Sequence, residues 1–267
     1  MESAERVRRA EARVKRLRPA MGTWVAVEAA AESHEAALAG VEAAYRAVQH
    51  VERRLHPSRE GSELRRIHTA PLHTPVPIAG TTWQLLRLAQ TVYALSEGIF
   101  DPCLPSHPGR LGDLMLSDPA SDSPWALCRV PLALDLGGIA KGYAIDCAIG
   151  ALRAAGCGAG VVNAGGDLRI YGGSDTVLLR HCDGGCVPLA VADEALAVSD
   201  RDTDPCRRPV EHQGYYRRSG EMRKARRYAA VVAASAAIAD ALTKCVLLGG
   251  ERCAARTLRA LEARRVA

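Results

Sequence analysis

Aromatic residues and long apolar runs are scarce in this chain of 267 residues. Aromatic residues make up 4% of the sequence and Phe100 is the single phenylalanine, so alanine and leucine must fill most of the core. No stretch approaches the roughly 20 apolar residues of a membrane span, and the N-terminus lacks the apolar run of a signal peptide. These absences predict a cytoplasmic protein without membrane insertion.

The nine cysteines are scattered and odd in number, so they cannot all form disulfides within the chain. This pattern is typical of a reduced compartment and also favours the cytoplasm. Cys182 and Cys186, with His181 beside them, could hold a metal ion. Their Asp-Gly-Gly spacer is more typical of a tight turn, and no second pair of ligands follows.

The net charge of +5 is concentrated in three segments. Residues 1–18 hold seven Arg or Lys against three Glu, residues 217–227 hold six against one, and residues 251–267 hold five against two. Such patches suit an anionic ligand or partner, although arginine-rich surfaces are also often simply solvated. No aromatic interleaving or zinc-finger spacing accompanies the charge, so we expect no nucleic-acid partner.

Apolar residues alternate in segments typical of strands and recur every third or fourth position in segments typical of helices. The predicted helices span residues 34–55, 81–96, 139–155, 236–248 and 251–265. The predicted strands lie within residues 17–30, 160–172, 177–180, 187–191, 195–198 and 228–233. Because strands and helices mix without a regular β-α-β alternation, the order favours an α+β fold.

The chain divides into a basic N-terminal arm, residues 1–18, and one large domain, residues 19–267. Within the arm, residues 6–18 are predicted to form a basic, amphipathic or frayed helix. Residues 101–131 are rich in Pro, Ser, Gly and Asp, which predicts loops and a boundary between two packed lobes. Residues 200–227 have little apolar content and predict a mobile loop.

Residues 135–142 read Asp-Leu-Gly-Gly-Ile-Ala-Lys-Gly and carry the clearest functional signal. The paired glycines let the backbone bend sharply or approach a ligand. A helix beginning near Ile139 would turn its free N–H groups toward a phosphate, with Asp135 and Lys141 at the two ends of the turn. A simple strand-to-helix turn with a solvated lysine is the alternative.

Four further segments accompany this turn: residues 20–23, 96–102, 162–167 and 239–244. In this order and spacing, the five segments resemble the ApbE-like flavin transferases, also called FAD:protein FMN transferases. The resemblance runs from about Met21 to Gly250. It implies a two-lobed α+β fold with mixed sheets and flanking helices, which binds FAD between the lobes. It also implies that magnesium assists transfer of FMN to a Thr or Ser hydroxyl of a target flavoprotein, with release of AMP.

The resemblance further implies roles for individual residues. The positions that would contact FAD are Met21, His56, Ile99, Phe100, Asp101, Asp135 and Lys141. Magnesium would meet the backbone carbonyl of Gly138 and the carboxylate of Asp240. Asp167, after the second glycine turn, could add a carboxylate to the same site or cap its own turn. Core packing is the alternative for Met21 and Phe100, and a surface position at a helix end is the alternative for His56.

The chain departs from the family pattern at its magnesium site. Lys244 stands where the family usually has a metal-ligating threonine, and an ammonium cannot ligate magnesium. Thr243 could coordinate in its place, or Lys244 could itself occupy the cation site and pair with Asp240. A helix face exposed to solvent is the third interpretation.

A second departure concerns the loop that carries a histidine and an aspartate in the family. The nearest match, residues 213–220, lacks both, and His212 is close but out of register. Without a general base in this loop, transfer would slow by about 10² to 10⁴ in rate. His212 is the nearby histidine that could serve as this base, and it is therefore the candidate catalytic residue.

Three functions follow from these observations. The leading hypothesis is an FMN transferase that uses FAD and a target flavoprotein. The second is a catalytically weakened or inactive flavin-binding protein in which Lys244 replaces the metal. The third is a scaffold whose basic segment, residues 217–227, docks a partner without a nucleotide.

Overall fold

The computed structural model describes residues 11–180, 185–200 and 228–267. Its five α-helices are α1 (His34–Leu55), α2 (Glu63–Thr69), α3 (Gly80–Leu95), α4 (Ala140–Ala154) and α5 (Ala236–Ala260). Its strands are β1 (Ala12–Ala20), β2 (Thr23–Ala31), β3 (Val76–Pro77), β4 (Leu114–Leu116), β5 (Trp125–Cys128), β6 (Ala159–Ala164), β7 (Asp167–Tyr171), β8 (Ser174–Arg180), β9 (Cys186–Ala192), β10 (Ala195–Asp200), β11 (Tyr228–Ala233) and β12 (Arg264–Arg265). None of the helices in the described ranges is long and apolar enough to cross a membrane.

An antiparallel seven-stranded sheet organises the fold, in the order β1-β2-β6-β7-β10-β11-β12. Helices α1, α4 and α5 pack on one face of this sheet and also against one another. On the other face, the β8–β9 hairpin covers part of β7, β10 and β11 through a smaller apolar cluster. All six residues of β11 are buried because both faces of that strand are covered. The α+β prediction is confirmed, but every strand pair in the described residues is antiparallel, so the sheets are not mixed.

In the small sheet β3-β5-β4, strand β5 pairs with β3 on one side and with β4 on the other, which links residues 101–131 to the segment around Val76. Short strands β4 and β5 and a 3-10 turn at Leu111–Asp113 interrupt the loops predicted for this segment. Buried Leu111, Leu114 and Ala126 join the main core, so parts of the segment are anchored to it. A lobe boundary at this segment stays a prediction.

The helix predicted for residues 6–18 is wrong over its described part, because β1 is a strand paired with β2 along its whole length. Val14 is buried while Arg13 and Lys15 on either side are exposed, which is the alternation of a strand. Both basic side chains form ion pairs with Glu28 of β2, at 3.2 and 3.6 Å. Pairing to a neighbouring strand, rather than local helical preference, determines the structure of this segment.

The remaining elements follow the predicted order, and the main differences concern α2 and the C-terminal helices. Helix α2 was not predicted; Ser62 caps it by accepting a hydrogen bond from Arg65 N at 3.2 Å. The two predicted C-terminal helices form one element, α5, with a kink at Gly250, whose φ is +70°. The second of them ends at Ala260 rather than 265, since Arg264–Arg265 form β12 against β11.

Candidate active site

The candidate site is built where the N-terminal ends of α4 and α5 meet. A Cβ at Gly142 would lie 2.2 Å from the carbonyl oxygen of Ala236, so a glycine is required for this contact. Across the same joint, Gly142 N donates to Asp240 Oδ2 at 3.3 Å. The glycine therefore brings the start of α4 within reach of a carboxylate on α5.

Asp146 of α4 caps the N-terminus of α5. Its carboxylate accepts from Ala236 N at 3.0 Å, Ala237 N at 2.9 Å and Ser235 Oγ at 2.6 Å. Arg169 of β7 adds an ion pair at 2.5 Å. These contacts satisfy N–H groups that would otherwise lack partners at the helix start and fix the orientation of α5.

The turn at residues 135–138 lies beside this joint. Asp135 Oδ1 accepts from Gly137 N at 2.8 Å and caps a 3-10 turn, Leu136–Gly138, before α4 begins at Ala140. A Cβ at Gly138 would lie 3.3 Å from Lys244 Cε. The second glycine thus leaves space for the Lys244 side chain.

Two aspartates and two lysines form a continuous charged cluster at the joint. Lys141 Nζ lies 3.0 Å from Asp167 Oδ2 and 3.4 Å from Asp240 Oδ2. Lys244 Nζ pairs with Asp240 Oδ1 and donates to the Asp240 carbonyl oxygen at 3.0 Å. Both aspartates are buried, whereas 29% of the Lys141 side chain is exposed. Four buried or half-buried charges thus compensate one another within the protein.

The pKa values in this cluster move in opposite directions. Burial raises the pKa of Asp167, and the negative charge of Asp240 raises it further. Burial opposes the charged form of Asp240 too, but Lys141 and Lys244 hold the pKa of this carboxyl below its usual value. Burial would lower the pKa of Lys141, yet both carboxylates raise it well above its usual value. Asp240 and Lys141 are therefore both charged at neutral pH.

Magnesium, which the resemblance implies, does not fit this arrangement. Mg²⁺ requires near-octahedral oxygen ligands at about 2.0–2.1 Å. Both carboxylate oxygens of Asp240 already face ammonium groups, from Lys141 and from Lys244. No group of three or more His, Cys, Asp or Glu side chains in the described ranges is placed to hold a metal ion.

Thr243, the alternative metal ligand, uses its hydroxyl elsewhere. Its Oγ1 lies 2.6 Å from the carbonyl oxygen of Asp240 and 2.7 Å from Ser199 Oγ of β10, and the side chain is completely buried. The hydroxyl thus joins α5 to the sheet rather than to the carboxylate of Asp240. Lys244, only 8% exposed, contradicts the interpretation of a solvent-exposed helix face.

A cleft opens next to the cluster, with about 450 Å³ of space between its walls and across its solvent-open mouth. It brings together side chains from the loop after α3, from the turn that precedes α4 and from α5. Its lining residues are Ile99, Phe100, Asp101, Pro102, Asp135, Gly138, Lys244 and Leu248. Five residues predicted from sequence as site residues, together with Lys244, thus surround one space of mixed apolar and charged character.

Asp101 has one carboxylate oxygen engaged by the protein and one that is not. Its Oδ1 accepts from Cys103 N at 3.1 Å and from Leu111 N at 3.3 Å. Its Oδ2 is buried and has no hydrogen-bond partner among the described residues. A buried, unsatisfied acceptor is costly, so this oxygen is suited to accept a hydrogen bond from a ligand in the cleft.

Several predicted site residues lie outside the cleft lining. Met21 occupies the β1–β2 turn at φ +53° and packs against the core. His56 follows α1, where its Nδ1 accepts from Ser58 N at 3.2 Å and Arg59 N at 3.1 Å. Lys141 and Asp167 belong to the charged cluster, in which Lys141 Nζ lies between Asp167 and Asp240. Residues 201–227, with His212, and Cys182 of the proposed metal pair lie outside the described residues.

Sequence reasoning missed two residues that build the site. Asp146 caps α5, and Ser199 holds Thr243 against β10. An acidic residue within the otherwise apolar segment 144–149 was a usable signal for Asp146, because such a carboxylate needs donors from another element. Ser199 gave no comparable signal, since its partner lies 44 residues away along the chain.

Comparisons with known proteins agree with this architecture. The model of the ApbE family matches residues 21–115 and 111–266. A flavin transferase ApbE from Vibrio cholerae superposes with a TM-score of 0.77 at 18% identity, covering 96% of this chain and 93% of that one. The apo form of Pseudomonas stutzeri flavinyl transferase ApbE gives 0.78 at 18%, covering 94% and 89%. The ApbE protein from Thermotoga maritima gives 0.78 at 20%, covering 95% and 93%. No curated protein matches the sequence significantly.

Proposed function

Since this chain belongs to the ApbE family, we propose that it transfers FMN from FAD to a Thr or Ser hydroxyl of a target flavoprotein. The observation that carries this proposal is the cleft itself. It gathers an apolar wall, an unsatisfied carboxylate oxygen and a lysine within one space. These are the features that a flavin nucleotide with a polar edge and a diphosphate requires.

In the proposed reaction, the hydroxyl oxygen of the acceptor forms a bond to the FMN phosphorus. The bond from that phosphorus to the oxygen shared with AMP breaks, AMP leaves with the bonding electron pair, and the hydroxyl proton passes to a base. His212 remains the candidate base and lies outside the described residues. A positive charge near the diphosphate stabilises the charge that accumulates on the departing phosphate.

Five of the lining residues have a chemically specific task in this proposal. Ile99, Phe100 and Leu248 provide apolar surface for a ring, and Asp101 Oδ2 accepts a hydrogen bond from the nucleotide. Lys244 supplies the positive charge within the cleft. Lys141 acts indirectly, because it pairs with Asp167 and with Asp240, the partner of Lys244.

The test combines two products of one reaction. Purified protein is incubated with FAD and a lysate that contains apo-flavoproteins; AMP is measured by chromatography and protein-bound flavin by fluorescence in a denaturing gel. We expect both products, and expect a protein with Asp101→Ala to form less of each. FAD binding without either product would indicate the non-transferring flavin-binding alternative. Absence of FAD binding would leave the scaffold interpretation.

A further inference from the structure

We infer that the ammonium group of Lys244 takes the place of a divalent cation beside Asp240. The site then binds no metal and offers a positive charge from the protein to the diphosphate. This inference deepens the proposed function, on which the identity of the ligand rests. The family resemblance implies magnesium next to Asp240, whereas in this chain two lysines already contact the Asp240 carboxylate.

Lys244 is held in a defined position. It follows Asp240 by one turn of α5, and its Nζ contacts both Oδ1 and the carbonyl oxygen of that residue. Its Cε lies against Gly138, and 9% of its side chain is exposed. Contacts at the charged end and along the aliphatic chain fix the ammonium where Gly138 and Asp240 approach each other, which is where the resemblance places the metal.

The charge balance of the cluster opposes a metal ion. With Asp167 and Asp240 both ionised, their two negative charges balance the two positive charges of Lys141 and Lys244, and protonation of Asp167, whose pKa is raised, makes the cluster more positive still. An added Mg²⁺ would have to displace an ammonium from a buried carboxylate and would then be repelled by it. With threonine at position 244, the same cluster would lose one positive charge next to Asp240 and would attract a divalent ion more strongly.

The hydrogen-bonding capacity of Lys244 also points to a ligand. An ammonium group has three N–H donors. Two of them are directed to Asp240, at its carbonyl oxygen and at Oδ1. Within residues 11–180, 185–200 and 228–267, no acceptor is placed against the third, and Lys244 lines the cleft. A phosphate oxygen is a suitable acceptor, since lysine binds phosphates as a point charge.

The first test measures FAD affinity by flavin fluorescence in buffer with EDTA and in buffer with Mg²⁺. We expect the wild type to bind FAD equally well in both buffers. Lys244→Met removes the charge at similar side-chain length and should weaken binding about 10- to 100-fold, as expected for loss of a charge-assisted hydrogen bond. Lys15→Met on exposed β1 makes the same chemical change away from the cleft and should leave the affinity unchanged.

The second test needs no nucleotide: Mn²⁺ is titrated into the apo-protein and free Mn²⁺ is followed by EPR. We expect a Mn²⁺ site in Lys244→Thr that is absent from the wild type and from Lys15→Thr. A wild type that binds Mn²⁺ as tightly as Lys244→Thr, or that loses FAD in EDTA, would overturn the inference. A wild type that binds no FAD in either buffer would instead contradict the proposed function, while the Mn²⁺ titration would still decide the metal question.

Discussion

Two carboxylates, the half-buried Asp146 and the buried Asp240, lie at the joint of α4 and α5 and have opposite surroundings. Asp146 of α4 accepts hydrogen bonds from two backbone N–H groups and a hydroxyl of α5, together with the guanidinium of Arg169. Asp240 of α5 receives the ammonium groups of Lys141 and Lys244, together with Gly142 N. Each helix thus supplies an acid to the other, but only Asp240 gathers lysines at the edge of a cleft.

The comparison shows how a structural polar group differs from one that meets a ligand. The donors around Asp146 belong to the fold and leave its carboxylate fully engaged. Near Asp240, a lysine N–H and one oxygen of Asp101 have no partner among the described residues. Because these two groups lie at the cleft, their unused hydrogen-bonding capacity is available to a ligand.

The largest effect is expected from a substitution that separates α4 from α5. Gly142→Ala would place a methyl group 2.2 Å from the backbone of Ala236, so the joint would have to open. We expect a loss of about 3 kcal/mol or more in the free energy of unfolding, measured by urea denaturation. Gly150→Ala in the same helix meets nothing within 4 Å and should instead stabilise the protein by about 0.5–1 kcal/mol. Equal effects of the two substitutions would contradict this account of the joint.

Asp146→Asn should separate stability from ligand binding. The variant loses the negative charge that faces Arg169 and turns an amide group toward donors of α5, so we expect a loss of about 2–4 kcal/mol in unfolding free energy. The folded variant should bind FAD as the wild type does. Asp175→Asn, on exposed β8, is the matched control and should change stability by less than about 0.5 kcal/mol. A variant of normal stability that no longer binds FAD would reverse the roles assigned to the two acids.

His68 is a further buried polar residue with a structural role, and its protonation depends on pH. Its Nε2 accepts from Leu134 N at 2.8 Å, and burial, with a smaller effect of His107, lowers the pKa of His68 to about 4. The unfolded chain takes up this proton at a higher pH than the folded protein does, so stability falls as the pH falls below the unfolded pKa. Between about pH 7.5 and pH 5, we expect a loss of about 2 kcal/mol from this group.

Urea denaturation at the two pH values measures this contribution. His68→Gln can keep an acceptor for Leu134 N without titrating, so its stability should decrease less over the same range. An identical decrease in the wild type and in His68→Gln would assign the pH dependence to other groups.

Asp101→Asn tests whether Asp101 acts on the ligand rather than on the stability of the fold. The amide keeps an acceptor for Cys103 N and Leu111 N but replaces the unsatisfied Oδ2 with a donor. We expect nearly unchanged stability and about tenfold weaker FAD binding. Asp113→Asn, on the adjacent 3-10 turn, is the control and should leave FAD affinity unchanged. A loss of stability without a change in affinity would place Asp101 with the structural groups.

Much of this fold could be predicted from its sequence because local periodicity and tertiary burial agree. Helix α1 spans the predicted residues 34–55, and α4 begins within one residue of the predicted start at 139. The first part of β1, residues 12–16, escaped prediction because its basic residues resemble a solvated helix, and its strand conformation depends on pairing with β2. Local sequence carries little information about such pairing.

The sequence could indicate which residues belong to the candidate site, but not which contacts they make. Motif positions identified Phe100, Asp101, Asp135 and Asp240. Sequence left open whether Lys244 is exposed to solvent or pairs with Asp240, because that depends on the space at Gly138 and on the orientation of α5. Asp146 fixes this orientation from a different helix, so its role becomes visible only in three dimensions.

The central claim is that the cleft contains its own cation, and covalent flavin transfer in the presence of EDTA tests it most directly. Wild-type protein, FAD and the acceptor lysate are incubated with EDTA or with Mg²⁺, and protein-bound flavin is measured over time. Because Lys244 supplies the positive charge, the account predicts equal initial rates of transfer in the two buffers. Transfer that appears only after Mg²⁺ is added would contradict it.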